Sequence, residues 1–181
     1  MQSTVQHTAA LVLSLVLVLA CWVDVRERRV PNALTAGLAV SGLIYAAVVP
    51  DAVGGVTASL TSMLVGLALW LPFYALRMLG AGDVKLFAGA AAWLPLAAVL
   101  NAALLAALLG GALSLFWMLR QQGAALTVAR LGQVMRQPTQ IAALRVPVSA
   151  MPRAAKLPYA VPMAAGLLAA LWYPAAFFWT R

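Results

Sequence analysis

The sequence contains only four acidic residues in 181 positions, Asp24, Glu27, Asp51 and Asp83. Two of them stand at the edges of long apolar runs. Asp83 lies in Gly80-Ala81-Gly82-Asp83-Val84-Lys85, between apolar segments, and Asp24 closes the first apolar run. A charged side chain at a helix centre in a bilayer costs about 2.5 to 3.5 kcal/mol on insertion scales, so acids at such places point to function. The chemistry open to two carboxylates is specific. Two that share a site cannot both ionise readily, so one keeps a proton while the other activates water. Such a pair needs neither a metal nor a nucleophilic side chain, and it titrates as a unit, so acid and base are not assigned individually.

Other chemistries have few residues to work with. Cys21 is the one cysteine and His7 the one histidine. That leaves no disulfide framework, no Cys/His metal cluster and no Ser-His-Asp triad, so no metal or cofactor is expected.

The elements that must position the acids follow from composition. Apolar residues make up 65% of the chain, charged ones 9%, and the mean hydropathy is +0.96. This is the composition of a polytopic membrane protein rather than a water-soluble globule. Spans need about 20 apolar residues each, and the chain divides into six. The first covers about Thr8 to Val23, the second Ala33 to Val49, and the third Val56 to Leu76. Two more share the uncharged run from Leu86 to Leu119, with a turn near Leu94-Pro95 or, alternatively, near Asn101. The last extends from about Pro158 to Thr180. The expected fold is all-α, one membrane-embedded domain over 1–181, with a basic segment over 120–156 before the final helix.

Charge supports this count. Of the 12 basic residues, all but Arg181 fall on alternate connections: Arg26, Arg28 and Arg29; Arg77 and Lys85; then Arg120 through Lys156. With six crossings these connections share one side, cytoplasmic by the positive-inside rule, and both termini face outward. The net charge of +8 therefore reflects topology and contact with anionic lipid. No Gly-rich phosphate cradle or aromatic interleaving points to nucleic acid. The positive charge follows the first run instead of preceding it, so that run is expected to be a retained helix and not a cleaved signal.

Several finer expectations follow. Gly80 and Gly82 can adopt backbone angles that other residues resist. Small residues at Ala88 to Ala92 and at Gly110-Gly111 mark close helix contacts. Trp22 and Trp117 at the inner boundary, with Trp93, Trp172 and Trp179 at the outer, resemble an aromatic belt. The stretch with Leu126, Arg130, Val134 and Arg136 is either an interfacial amphipathic helix or a solvated basic loop.

Fifty-nine positions separate Asp24 from Asp83, yet this layout puts both at the inner end of their helices. Plainer roles compete with catalysis. Asp24 could neutralise Arg26 and Arg28, Asp83 could cap helix four, and Lys85 could be a topology charge.

At this point the two acidic stretches resemble a known family. Gly80-Ala81-Gly82-Asp83-Val84-Lys85 is similar to the GxGDxK pattern of the type IV prepilin peptidases. Asp24 with downstream Pro31-Asn32 resembles that family's first aspartate, and the Pro158-Tyr159 opening of the last helix also looks like it. The resemblance implies a membrane aspartic endopeptidase that removes the short basic leader from pilin or pseudopilin precursors at the cytoplasmic membrane face. Asp24 and Asp83 would be its catalytic pair, Gly80 and Gly82 the supporting loop, and Lys85 a supporting residue of unassigned role. Helix one begins within ten residues of Met1 and one cysteine cannot form the paired-cysteine region of the long bacterial form. The compact form therefore looks like the peptidases of tight-adherence (Flp) pili or of archaeal preflagellin processing, without methyltransferase activity. The residues alone leave open a small proton-relay transporter or a non-catalytic membrane subunit of a secretion machine.

Overall fold

A computed structural model describes residues 2–27, 29–76, 78–122 and 159–173. Those residues form helices and turns, and three of the helices are long and apolar enough to cross a membrane. The chain is thus an all-α, polytopic membrane protein. The helices, in order, are α1 (Gln2–Glu27), α2 (Asn32–Val48), the single turn α3 (Pro50–Val53), α4 (Gly55–Ala75), α5 (Ala81–Ala91), α6 (Leu96–Gln122) and α7 (Ala160–Trp172). Setting α3 aside, they match the six expected runs one to one. Residues 123–158 and 174–181 lie outside the described residues, and with them most of the basic segment, the stretch around Leu126 to Arg136, Pro158 and Trp179.

Helix ends follow local chemistry. Pro31, with extended backbone, precedes α2, and its carbonyl accepts from the N–H groups of Leu34 and Thr35. Pro50 has no N–H to continue a ladder, and α2 stops at Val48. Gly54 and Gly55, at φ 91° and 82°, then make the left-handed corner into α4 that a side chain would resist. The α5–α6 turn falls at 92–95, as the Leu94-Pro95 expectation has it, and not at Asn101, which is buried within α6.

The short helix α5 is the centre of the bundle. At about 1.5 Å per residue its 11 residues do not reach across a hydrocarbon core of about 30 Å. It is instead enclosed by α2, α4 and α7. Val84 and every residue from Leu86 to Ala92 is buried. The sequence Ala-Gly-Asp-Val-Lys-Leu-Phe-Ala-Gly-Ala-Ala suits this position, because small side chains let three neighbours approach one backbone. A Cβ on Gly89 would stand 2.9 Å from the Thr35 carbonyl of α2. From α4, Gly66 admits Ala91, and the Ser59 hydroxyl donates to the Ala92 carbonyl at 2.6 Å. Phe87 fills the remaining space against the edge of Trp70.

The other close pair is α6 with α7. A Cβ on Gly166 would lie 2.5 Å from the Ala102 carbonyl and 2.8 Å from the Ala106 nitrogen. Gly110 admits the Tyr159 ring, and the Tyr159 and Ser114 hydroxyls share a 2.6 Å hydrogen bond. Gly111, expected at a tight contact, faces open space. Outward, Leu15, Val18, Val40, Ile44, Leu64, Leu104 and Leu108 are among many exposed large apolar side chains, the exterior that lipid requires.

The tryptophans divide. Trp22 and Trp172 are exposed, as interface anchors should be. Trp93 has a role beyond that expectation. Its indole N–H donates to the Leu38 carbonyl at 2.9 Å and its ring stacks on Tyr45, so it is a packing element that ties the α5–α6 turn to α2.

Candidate functional site

Asp24 occupies the last turn of α1 and is only 6% exposed. Its neighbours explain how a carboxylate is held there. Leu13, Leu17 and Ala20, at helical spacing on the same side, are buried, so the face of α1 that seals the bundle continues directly into Asp24. One turn earlier the Cys21 thiol donates to the Ala160 carbonyl at 3.5 Å, joining this end of α1 to the start of α7. The adjacent cation takes another direction. Arg26 places its guanidinium 4.6 Å from the centre of the Trp22 ring, on the exposed side of the helix, a cation–π contact.

Asp83 lies in the first turn of α5, outside the three apolar spans. It is half-buried, and one carboxylate oxygen accepts the Gly80 N–H at 3.2 Å. The capping role weighed from the sequence is thus present in altered form, since Asp83 caps from the third helical position and Gly80 is the N-cap residue. Burial pushes the Asp83 carboxyl up to about 7, and the negative charge of Asp24 pushes the same way, while the Gly80 N–H pulls it down. The structure therefore brings Asp83 into the electrostatic field of Asp24. An acid in this state is half protonated near neutrality, the condition for handing a proton on at physiological pH.

The two glycines serve a different end from the one expected. Gly80 has φ −76° and ψ 149°, open to any residue, and Gly82 is helical. What their sequence positions require is space. A Cβ on Gly80 would come 3.0 Å from the Asp83 carboxylate, and one on Gly82 would come 3.2 Å from Val30 Cβ and 3.4 Å from its carbonyl. Glycine thus keeps the carboxylate uncrowded and lets the α1–α2 connection settle on α5. Lys85 is exposed, and its ammonium donates to the Asn32 side-chain oxygen at 3.2 Å. Sequence reasoning noted Pro31-Asn32 and Lys85 separately and did not join them. The signal available was their common place in the two acidic stretches.

A helical membrane bundle with a buried acid on one helix and a second, proton-holding acid in its field on another defines the class of protein this is. The type IV leader peptidase family matches residues 11–115, more than half the chain and inclusive of both aspartates, and the chain belongs to that family. It is also 35% identical over 120 residues to a prepilin leader peptidase/N-methyltransferase of Pectobacterium carotovorum subsp. carotovorum. That alignment takes in 60% of this chain and 40% of the relative's length. No solved structure matches it.

Proposed function

We propose that the protein is a membrane aspartic endopeptidase that removes the short basic leader from type IV pilin or pseudopilin precursors, with Asp24 and Asp83 as its catalytic pair. Membership of the type IV leader peptidase family supports the reaction class. The observation that carries the residue assignment is geometric: Asp24, buried in the last turn of α1, lies close enough to Asp83 in the first turn of α5 for its charge to act on that carboxyl. The pair then works with one shared proton. The ionised partner draws a proton from water as it attacks the scissile carbonyl, and the protonated partner donates to the carbonyl oxygen. Collapse of the tetrahedral intermediate breaks the C–N bond, and a proton passes to the departing amine.

A proton-relay transporter fits less well. A relay needs further titratable groups along a path. Among the described residues the other buried polar side chains are Thr35, Ser59, Ser62 and Asn101, none of which carries protons at physiological pH.

The remaining readings belong to the same proposal. The whole of 1–181 acts as one membrane-embedded peptidase domain. The acidic pair lies at the cytoplasmic face of the inner membrane with both termini outside, supported by the one-sided distribution of Lys and Arg. The substrate is of the Flp type, supported by the sequence likeness to the compact peptidases. Its apolar helix rests against the bundle while the leader crosses Asp24 and Asp83. Purified protein in detergent, given a Flp-type pilin precursor, is expected to release the leader as one fragment. Mass spectrometry should show a trimmed pilin with a free, unmethylated N-terminus. An intact precursor would reject the peptidase, and a methylated product would reject the single-activity form.

A further inference from the structure

The two acids ride on helices that scarcely touch. Among the described residues α1 packs chiefly along α7, whereas α5 is held by α2, α4 and α7. The separation of Asp24 and Asp83 is therefore set largely through neighbouring elements, among them α7, which packs on both helices. Catalysis is sensitive to it, since a misplacement of about 1 Å can cost roughly 100-fold in rate.

The connection between α1 and α2 is well placed for that task. Val30, six residues after Asp24, is buried over the Gly82 backbone. Asn32, which opens α2, accepts the Lys85 ammonium at 3.2 Å. Gly82 and Lys85 are three apart, so they lie on one face of α5, and Asp83 belongs to the same turn. The connection leaving Asp24 is thus fastened at two points to the turn that carries Asp83.

We propose that Lys85 is a positioning residue: by pinning Asn32 it latches the α1–α2 connection to α5 and so fixes the working separation of the two acids. This rests on the peptidase reading above, with Asp24 and Asp83 as the reacting pair. The latch explains why a lysine stands two residues after Asp83 on an exposed edge. A hydrogen bond to a charged donor is stronger than one between neutral groups, and the exposed ammonium makes it without being taken out of water. Burial and the charge of Asp24 raise the Asp83 carboxyl against the opposing pull of the Gly80 N–H. Lys85 acts on geometry rather than on proton affinity.

The test compares the full-length protein with Lys85→Met, Asn32→Ala, their double variant, and Asn32→Asp, which keeps an acceptor for the ammonium. For cleavage of a pilin precursor, Lys85→Met and Asn32→Ala should each lower kcat by roughly 10- to 100-fold with KM little changed. The double variant should be no worse than the poorer single, because both remove one bond, and Asn32→Asp should retain most of the rate. Losses that multiply, or a loss confined to KM, would overturn the latch. So would wild-type kcat in Asn32→Ala, as expected if Lys85 were only a topology charge. Hydrogen exchange at Leu34 and Thr35, whose amides donate to the Pro31 carbonyl, supplies a readout separate from activity: it should rise equally in Lys85→Met and Asn32→Ala. Unchanged exchange overturns the latch whatever the enzyme assay shows. Raised exchange together with full cleavage by Asp83→Asn would instead overturn the acid pair and uphold the latch.

Discussion

Asp83 shows how one side chain can be tuned against stability. In the unfolded chain its carboxyl has the ordinary value of 3.8, and in the bundle it stands near 7. Between those values the folded protein binds more protons than the unfolded one, so stability falls as pH rises through the window and stays lowered above it. Asp83→Asn removes this dependence. We expect the variant to be more resistant to heat or SDS than wild type at about pH 8 and indistinguishable from it at about pH 4. Equal resistance at both values would show that Asp83 is not held protonated by its surroundings. In the proposed mechanism the same proton governs the reaction. A pair that works with one proton loses it as pH rises through about 7, so kcat should decline on the alkaline side. A rate that keeps rising from about pH 7 to 9 would be incompatible with a shared proton. Charge cost and catalytic use are here two aspects of one environment, which agrees with the concentration of perturbed acids at functional sites.

At the scale of elements, close backbone approach replaces the hydrophobic effect. Lipid is as apolar as leucine, so helices in a bilayer associate through packing and hydrogen bonds. Gly166 tests this directly. A Cβ there would meet backbone atoms of α6 at 2.5 and 2.8 Å, and backbone cannot turn aside as a side chain can. Gly166→Ala should force α6 and α7 apart and lower the midpoint of thermal unfolding, whereas Gly111→Ala, which meets nothing within 4 Å, should be neutral or slightly stabilising. Matched midpoints would remove the packing role given to Gly166. The sequence showed the small residues near Gly89 and Gly110, whereas Gly42, Gly66 and Gly166 were not singled out, although each would meet atoms of a facing helix or turn if it carried a Cβ. Composition marks clusters, whereas a single glycine gains its meaning from the helix across from it. The packing role of Trp93 was missed for the same reason: its position near a span end matches a belt residue, and only the neighbouring Leu38 carbonyl and Tyr45 ring make it a packing element as well.

For the whole molecule, the order of the helical runs and the turn at 92–95 were legible because apolar length, charge spacing and Pro95 are one-dimensional signals, whereas only three of the described helices are long enough to span. Close helix contact at Ala88 to Ala92 was legible from its small residues, but not that α2, α4 and α7 together enclose α5, since composition does not say which helices are the neighbours. The acids were legible as a pair only through their scarcity and their matching positions at helix ends. How two helices with little mutual packing hold them in one field depends on contacts such as Val30 over Gly82 and Lys85 to Asn32, which no spacing rule foretells. Leader cleavage by the two aspartates as a unit is the proposal that family membership and this arrangement support. The most direct measurement is single-turnover cleavage of a pilin precursor in proteoliposomes by wild type, Asp24→Asn, Asp83→Asn and the double variant, each checked for folding. Each single variant should lose at least about 1,000-fold in rate, with little further loss in the double, because members of one catalytic unit are not additive. A single variant that kept more than about a tenth of wild-type activity, or losses that multiplied in the double, would contradict a shared-proton pair.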